Sequence, residues 1–276
     1  MIQMRCNSCD GIYDSLDVRF TKACDNNCPF CIEHDGLSSF GETNVPALIE
    51  STLSSGIKNV LILGGEPFLN PEKLRDYIIG IRPHVSTIYI TTSLPKTVLS
   101  PYLKEIMENI DGLNVSIQDT HSEKNNKIMN ASSNHNRLDI LRELNQLYKD
   151  KIRVNLNLVK GGLDTRWDLV DALIRLEVLF DCAHVKINEL QNSEDYISYE
   201  DIMGEKLPSP FSHGCQTPID INGINMKLTL KRSCYNVEKS RKASLSDVVK
   251  ELLSFNRKKY NKFGVMYENG LIRKGW

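Results

Sequence analysis

The chain has little that would attach it to a membrane or to nucleic acid. Its 276 residues carry 34 basic and 35 acidic side chains, so the net charge is −1, and such a balance argues against wholesale attraction to phosphate backbones or anionic lipid. No apolar run approaches the roughly 20 residues that a spanning helix needs. The N-terminal MIQMRCNSCD lacks the basic and apolar regions of a signal peptide. We therefore expect a cytoplasmic protein with neither a membrane nor a direct nucleic-acid partner.

Cysteine, in contrast, is abundant and unevenly placed. Five of the eight cysteines lie within the first 31 residues. In a chain without a signal peptide, clustered thiols favour metal ligation over a disulfide framework. The eight positions are Cys6, Cys9, Cys24, Cys28, Cys31, Cys182, Cys215 and Cys234.

Short apolar segments alternate with helical ones between residues 15 and 190. Such alternation with short connections predicts a parallel sheet with right-handed crossovers, and six units are too few for a complete eight-fold barrel. We expect an α/β fold: a partial (β/α)6 TIM-like barrel at 15–190, after an N-terminal CxxC segment at 1–14, and a small cysteine-bearing C-terminal extension at 191–276. Strands are predicted at 16–21, 59–63, 87–92, 113–118, 153–159 and 184–190.

Several helix starts and one hairpin are also readable. Asn70-Pro71 and Ser100-Pro101 each place a capping side chain before a proline, and Asp164 or Thr165 is expected to cap a helix running to about residue 180. A helix near 134–150 is expected to bury Leu138, Leu141, Leu144 and Leu147 on one face. Residues 191–214 are predicted to be a connection, 215–234 a hairpin turning at Asn222-Gly223, and 244–260 a last helix.

The later strands alternate polar and apolar residues. An antiparallel sheet with one face in water would explain this pattern, and so would an open barrel with a polar lumen that receives a ligand. The polar positions are Asn114, Ser116 and Gln118, then Asn155 and Asn157, then Lys186 and Asn188.

Three cysteines directly follow the first predicted strand. Cys24, Cys28 and Cys31 lie within eight residues, and thiolates so spaced can wrap one iron–sulfur cube. Three ligands leave one iron open, which is typical of a reactive site. A structural zinc ion would want a fourth ligand, and His34 keeps that alternative open.

This pattern resembles the signature of the radical SAM superfamily, in which Cys-x3-Cys-x2-Cys follows the first strand of a β/α barrel. Gly64-Gly65-Glu66-Pro67, at the end of the second predicted strand, resembles that family's GGEP motif. The resemblance covers about residues 15–190. It implies a partial (β/α)6 barrel and a 4Fe–4S cluster chelated by the amino and carboxylate groups of S-adenosylmethionine (SAM).

The resemblance also implies which residues contact SAM. Gly64 and Gly65 permit close backbone approach, and their carbonyls or the Glu66 carboxylate are expected to accept hydrogen bonds from the SAM ammonium group. Phe30 matches an aromatic position near the adenine. Gln118 stands where the family's strand carries an acid. The remaining expected contacts are Pro67, Thr92, Ser93, Ser116 and Asn157.

The implied chemistry needs a one-electron donor such as flavodoxin or ferredoxin. The electron cleaves the sulfonium C–S bond of SAM, and the resulting 5′-deoxyadenosyl radical takes a hydrogen atom from the substrate. The cofactor carries the difficult chemistry, while the protein supplies orientation and a dry chamber.

Four further cysteines form two pairs outside this motif. Cys6-x2-Cys9 and the hairpin ends Cys215 and Cys234 can together complete a second site, which would hold an auxiliary iron–sulfur cluster or a structural zinc ion. Unrelated free thiols are the other interpretation. Cys182 is expected to be a small buried apolar residue.

Charge is divided along the chain. Residues 227–276 carry a net +9, so residues 1–226 carry −10. A basic segment beside the barrel mouth would attract an anionic substrate, and a solvated helix face and tail is the other explanation. The sequence favours a radical SAM oxidoreductase or carbon-skeleton-modifying enzyme acting on a small anionic, nucleotide- or sugar-like molecule. The alternatives are modification of a ribosomally made peptide and a non-catalytic iron–sulfur or zinc scaffold that binds a protein partner.

Overall fold

The structure is a computed structural model that describes residues 15–31, 42–190, 196–207, 216–232 and 263–274. Several predicted features lie outside these residues: the N-terminal pair Cys6 and Cys9, His34, the hairpin cysteines Cys215 and Cys234, and the predicted helix at 244–260. Within the described ranges, no helix is long and apolar enough to cross a membrane.

The core of the fold is a mostly parallel sheet that forms a partial barrel. Its first six strands follow one another in order and pair in parallel, which confirms the predicted (β/α)6 arrangement. The predicted strand bounds differ from the observed ones by at most two residues. The strands are β1 Ser15–Arg19, β2 Asn59–Leu63, β3 Thr87–Thr92, β4 Gly112–Ile117, β5 Ile152–Leu158 and β6 His184–Glu189.

Helices connect these strands and cover one face of the sheet. Their apolar sides and the outward strand residues form one continuous core cluster, because right-handed crossovers place all the helices on the same side. The helices are α1 Val45–Ser55, α2 Pro71–Ile81, α3 Leu103–Asn109, α4 Ser122–Ile128, α5 Arg137–Tyr148 and α6 Arg166–Val178.

The helix-capping predictions hold in two of three places. Asn70 caps α2 by accepting a hydrogen bond from the Lys73 amide, and Thr165 caps α6. Ser100 does not cap α3, which begins only at Leu103. Residues 100–103 form a turn instead. In this turn the Leu103 amide donates to the Ser100 carbonyl, with a nitrogen–oxygen distance of 3.1 Å, and not to the Ser100 hydroxyl.

The prediction that four leucines of α5 are buried on one face is wrong for the last of them, Leu147. Leu138, Leu141 and Leu144 are buried, but Leu147 is 62% exposed. Leu147 follows Leu138 by nine residues, and at 3.6 residues per turn this spacing places the two on opposite sides of the helix.

The C-terminal residues extend the sheet at both ends. Strands β7 (Gln216–Ile219) and β8 (Lys227–Lys231) form the predicted hairpin, with Gly223 at a φ of 87° in its turn, and β8 pairs in parallel with β6. Strands β9 (Phe263–Met266) and β10 (Ile272–Lys274) form a second hairpin, and β9 pairs in parallel with β1. The described part therefore forms a ten-stranded sheet.

The stretch predicted to be a plain connection contains a helix. Helix α7 (Tyr199–Met203) lies between β6 and β7, and its first turn is capped by the Ser198 hydroxyl, which accepts the Asp201 amide proton at 3.0 Å. Ser and acidic residues, which made this stretch look like a loop, also favour helix N-termini.

Parallel pairing decides between the two interpretations of the polar strand positions. The apolar residues of β5 are buried on the helix side and enter the core. The polar residues between them face the opposite, inner side of the partial barrel. The lumen of the barrel is therefore polar, as the second interpretation predicted.

A buried ion pair fastens the second hairpin to β1. Arg19 and Glu268 are both 0% exposed, and their side chains meet at 3.2 Å. The Arg19 guanidinium also lies over the Tyr267 ring, 4.7 Å from its centroid. Buried charges of this kind require each other, because either one alone would keep the full cost of desolvation.

We expect Glu268→Ala to lower the free energy of unfolding by about 3–5 kcal/mol, because it leaves the Arg19 charge buried without its carboxylate. Urea unfolding at neutral pH measures the change. Glu108→Ala breaks the exposed pair with Lys104 and is the control, with an expected loss below about 0.5 kcal/mol. Equal losses in the two variants would contradict the role assigned to the buried pair.

Candidate active site

The three clustered cysteines lie in a loop at the carboxyl end of β1. Cys24 is exposed and Cys28 and Cys31 are partly buried, and none of the three forms a disulfide. The Cys31 amide donates to the Cys28 carbonyl at 3.0 Å, so the last two thiols are held on one tight turn. In parallel α/β folds, the carboxyl ends of the strands are where ligands bind.

The two motif glycines are packed directly beneath this loop. The Gly65 amide donates to the Thr21 carbonyl at 2.6 Å, and the next amide, from Glu66, donates to the Ala23 carbonyl at 2.7 Å. Gly64 has a φ of 134°, and a Cβ atom on Gly65 would lie 2.1 Å from the Ala23 carbonyl oxygen. Only glycine fits at either position, so the motif fixes the backbone that leads into Cys24.

The carboxylate of Glu66 is fully occupied within the chain. It is 1% exposed, and it accepts from the Phe68 amide at 3.0 Å, the Thr92 hydroxyl at 2.8 Å, and the Ser93 amide and hydroxyl at 2.6 and 2.7 Å. A carboxylate has about four acceptor positions. Burial raises the pKa of Glu66, and these four donors oppose that rise.

Glu66 therefore has a role within the chain, because it connects the end of β2 to the end of β3. All four of its acceptor positions are used by residues of this chain, and so are the hydroxyl protons of Thr92 and Ser93. The expectation that the glycine carbonyls or the Glu66 carboxylate accept from the SAM ammonium group stays a prediction.

This network continues into the cysteine loop through Asn26. The Asn26 amide group donates to the Ser93 hydroxyl at 2.8 Å, and the Asn26 backbone amide points at the Cys24 sulfur at 3.4 Å. A chain of hydrogen bonds thus runs from the Glu66 carboxylate through Ser93 and Asn26 to the first thiol.

Arg137 anchors the same loop from the opposite side. Its side chain is 0% exposed and donates to the Ser93 carbonyl at 3.0 Å, the Asn126 side chain at 2.6 Å, the Asp25 carboxylate at 2.9 Å and the Asn26 side chain at 3.0 Å. A planar guanidinium can satisfy several acceptors in fixed directions. Arg137 therefore fixes the segment between Cys24 and Cys28 relative to β3 and α5.

The thiols repel one another and are partly removed from water. Burial raises the pKa of Cys24 to about 11 and that of Cys28 to about 12, and the neighbouring thiols add to both shifts. Because a thiolate is the form that binds metal, positive charge between the three sulfurs would relieve this cost. The donor set therefore fits a cationic iron–sulfur cluster.

A single zinc ion was the other interpretation of these thiols. Its expected fourth ligand, His34, lies outside the described residues. Among the residues that the structure describes, no group of three histidine, cysteine or acidic side chains is arranged around one ion position. An iron–sulfur cube does not need such an arrangement, because each thiolate binds a different iron.

The other predicted contacts lie along the carboxyl ends of the strands. Phe30, Ser116 and Asn157 are partly exposed, and Gln118 is buried with its amide oxygen unpaired. Pro67 is buried at the start of a short 3-10 turn. Thr92 and Ser93 belong to the Glu66 network. The remaining residues thus border the rim between the cysteine loop and the lumen.

The inner face of the last strands is strongly basic. Lys186 is 8% exposed, and burial, followed by repulsion from Lys231 and Arg153, lowers its pKa from 10.5 to about 7. Burial and the nearby Lys227 lower the pKa of His184 to about 4. These residues are on β5, β6 and β8, which are neighbours in the sheet.

Sequence reasoning did not find Arg137 or Asn26 and did not assign a role to Lys186. Only for Lys186 was there a signal, since a lysine inside a strand of alternating polarity points to a polar lumen. Arg137 is more than 100 residues from Asp25 along the chain. Nothing local marks such a contact, so only the folded chain shows it. Cys182 is buried, as predicted.

The chain matches the model of a known protein family. Residues 18–176 match the family model described as the radical SAM superfamily, and this range is more than half of the chain. It includes the cysteine loop, the glycine motif and Arg137.

Curated proteins with detectable similarity share one name. A GTP 3′,8-cyclase from Lactiplantibacillus plantarum is 28% identical over 167 residues, which are 57% of this chain and 49% of that protein. A GTP 3′,8-cyclase from Helicobacter pylori is 22% identical over 199 residues, 70% of this chain and 60% of that protein. The chain thus spans about half to three fifths of the length of the relatives it matches.

Solved structures are similar over nearly the whole chain. The structure of Streptococcus suis SuiB bound to S-adenosylmethionine has a TM-score of 0.64 and 15% identity, covering 95% of this chain and 60% of SuiB. SuiB bound to its precursor peptide SuiA has a TM-score of 0.60 and 16% identity, covering 96% and 60%. At these identities the similarity shows the fold alone.

We expect Arg137→Lys to weaken cluster binding, because one ammonium group cannot satisfy four acceptors in fixed directions. Iron and sulfide bound per chain after anaerobic reconstitution should fall at least about twofold. Arg142→Lys is the matched control, since Arg142 lies on the same helix in a part-exposed pair with Asp139. Unchanged iron in Arg137→Lys, or an equal loss in both variants, would contradict the anchoring role.

Lys186→Met is expected to stabilise the protein most at low pH. The pKa of Lys186 is about 7 in the folded protein and 10.5 for an ordinary lysine. Between pH 7 and pH 10.5 the folded state therefore binds fewer protons than the unfolded state, so the free energy of unfolding of the parent protein rises with pH in this range. The advantage of the methionine variant should therefore be large near pH 6 and small above about pH 10.5.

Urea unfolding in phosphate-free buffer at both pH values measures this difference. Lys104→Met, at an exposed position on α3, serves as control and should show a small difference that does not change with pH. The same advantage for Lys186→Met at both pH values would mean that Lys186 is not held in a cationic, buried environment.

Proposed function

The chain belongs to the radical SAM superfamily and is an enzyme of that class, and from this premise we propose that it takes a hydrogen atom from a small anionic, nucleotide- or sugar-like substrate. The class uses a 4Fe–4S cluster and SAM. We assign the cluster to Cys24, Cys28 and Cys31. The observation that carries the assignment is the rigid attachment of this loop to the Gly-Gly turn, Glu66 and Arg137.

The bound cofactors supply one-electron cleavage of SAM, and the protein's own residues supply position. An external donor such as flavodoxin or ferredoxin would provide the electron for this chemistry. Glycine carbonyls at the end of β2 are the acceptors for the SAM ammonium group, and Phe30 is proposed to lie near the adenine. Ser116, Gln118 and Asn157 are proposed to bind the polar parts of SAM.

Two observations support an anionic small substrate. The curated relatives are named GTP 3′,8-cyclases, although the chain spans only part of their length. The inner face of β5, β6 and β8 carries the buried Lys186 and the partly buried Arg153 and Lys231, and an anion is the ligand that such a surface attracts. The reducing conditions that an iron–sulfur cluster needs agree with the cytoplasmic location expected from the sequence.

Peptide modification is the second candidate. The observation that favours it is the similarity of fold to SuiB, which extends through the C-terminal strands and includes a complex with a precursor peptide. Substrate trials separate the two: consumption of a nucleotide or sugar derivative supports the first candidate, and consumption of a peptide with no small-molecule turnover supports the second.

The class assignment is tested by Cys28→Ala. Anaerobic incubation of the reconstituted protein with SAM and dithionite should produce 5′-deoxyadenosine, measured by chromatography, and the variant should produce none, because an iron loses its only protein ligand. Cys182→Ala is the control, since Cys182 is buried beside Asn145, far along the chain from the loop, and should keep the activity. No product from the parent protein would favour the non-catalytic scaffold.

A further inference from the structure

We propose that Arg153, Lys186 and Lys231 form a phosphate-binding site inside the barrel, separate from the residues that hold the cluster and SAM. The three residues lie on β5, β6 and β8, which are adjacent strands. The inference deepens the proposed function and rests on it in one respect: the phosphate is taken to belong to the substrate.

Strand register places the three cations along a diagonal of the inner face. Asn155 on β5 is paired with Lys186 on β6, and Asn188 is paired with Lys231 on β8. Arg153 is therefore one diagonal step below Lys186, and Lys231 is one step above it. Diagonal neighbours have backbones roughly 7–8 Å apart, within reach of long side chains.

A contact across the sheet confirms that these strands present the same face. The His184 Nε2 atom lies 3.1 Å from the Thr229 hydroxyl, and the apolar residues between, Leu228 and Leu230, belong to the core on the other side. Lys186 follows His184 by two residues on β6, and Lys231 follows Thr229 by two residues on β8, so each pair lies on the same face of its strand. All four side chains therefore line the inner face.

This cation column has no acidic partner in the part of the chain that the structure describes. None of the described ion pairs includes Arg153, Lys186 or Lys231, and the Arg153 Nε atom is buried without a hydrogen bond. Buried like charges are costly unless an opposite charge compensates them. An anion bound between them provides that charge.

The residues beside the column suit the rest of a phosphorylated molecule. The side-chain oxygens of Asn114 and Asn155 are buried and have no hydrogen-bond donor. Buried amide oxygens are normally satisfied, so these two oxygens suit hydrogen-bond donors on a ligand. Sugar hydroxyls and the amino groups of a base are such donors.

The column lies on a different part of the barrel from the cluster loop. The loop, the Gly-Gly turn and the Glu66 network belong to β1, β2 and β3, whereas the cations belong to β5, β6 and β8. A ligand anchored at Lys186 would extend toward the carboxyl ends of the strands, where the loop lies. The substrate carbon that loses hydrogen would then face SAM.

Titration calorimetry on the full-length, reconstituted protein tests the site, with inorganic pyrophosphate as the probe in a buffer free of other phosphate. We expect binding, and a loss of about tenfold or more in affinity for Lys186→Met and for Arg153→Met. Lys104→Met is the control and should bind normally. Lys186→Met removes a buried charge and Arg153→Met a partly buried one, and neither charge has an acidic partner among the described residues. Thermal unfolding should therefore show both variants folded and at least as stable as the parent.

Parallel titrations with SAM and with citrate separate the sources of negative charge. SAM affinity should not change in Lys186→Met; if it falls while pyrophosphate binding is unaffected, the column holds the SAM carboxylate and the proposal is overturned. Citrate binding without pyrophosphate binding would also overturn it, as would equal pyrophosphate affinity in all variants.

The outcome is independent of the proposed function. If the protein binds pyrophosphate through Lys186 but makes no 5′-deoxyadenosine, the proposed function is refuted and the proposed anion site stands. Production of 5′-deoxyadenosine by a protein without such binding would refute only the anion site.

Discussion

The organisation of the site depends on the buried carboxylate of Glu66. It accepts four hydrogen bonds from two segments, Phe68 after β2 and Thr92 and Ser93 at the end of β3, and Ser93 is also bound by Asn26 of the cysteine loop. A buried charge tolerates no missing partner. The ends of β2 and β3 are therefore held in one arrangement, and the loop is held against them without any direct contact between Glu66 and a cysteine.

This arrangement gives the Gly-Gly-Glu-Pro motif a structural role beside the ligand contact expected from the sequence. The glycines let two backbones approach to hydrogen-bonding distance, and the acid holds the neighbouring strand. The motif thus supports the cysteine loop from beneath, through close backbone contacts that only glycine permits and through a buried carboxylate with four hydrogen bonds.

The repeating units were predictable because their signals are local. Each of the six strands showed as a short run of apolar or alternating residues, and Asn70 and Thr165 marked helix starts by capping. The two C-terminal hairpins that lengthen the sheet were only half anticipated. The turn at Gly223 is visible in the sequence, but the pairing of β8 with β6 and of β9 with β1 depends on contacts far apart along the chain. Arg137 and Arg19 belong to the same class of long-range contact.

The division of charge along the sequence had a structural meaning as well, since Lys227 and Lys231 from the basic C-terminal segment lie beside Lys186.

The position of β9 has a consequence for how the chain acquires its shape during synthesis. Strand β1 leads directly into the cysteine loop, yet one of its two neighbours is made about 250 residues later, as the separation of Arg19 and Glu268 shows. Until then β1 has an open edge, and unpaired edges recruit other chains. Closing so long a loop is also slow. The strand that leads into the cysteine loop is thus among the first made and among the last to be enclosed, so premature arrest of translation would leave a nearly complete barrel with the edge of β1 unpaired.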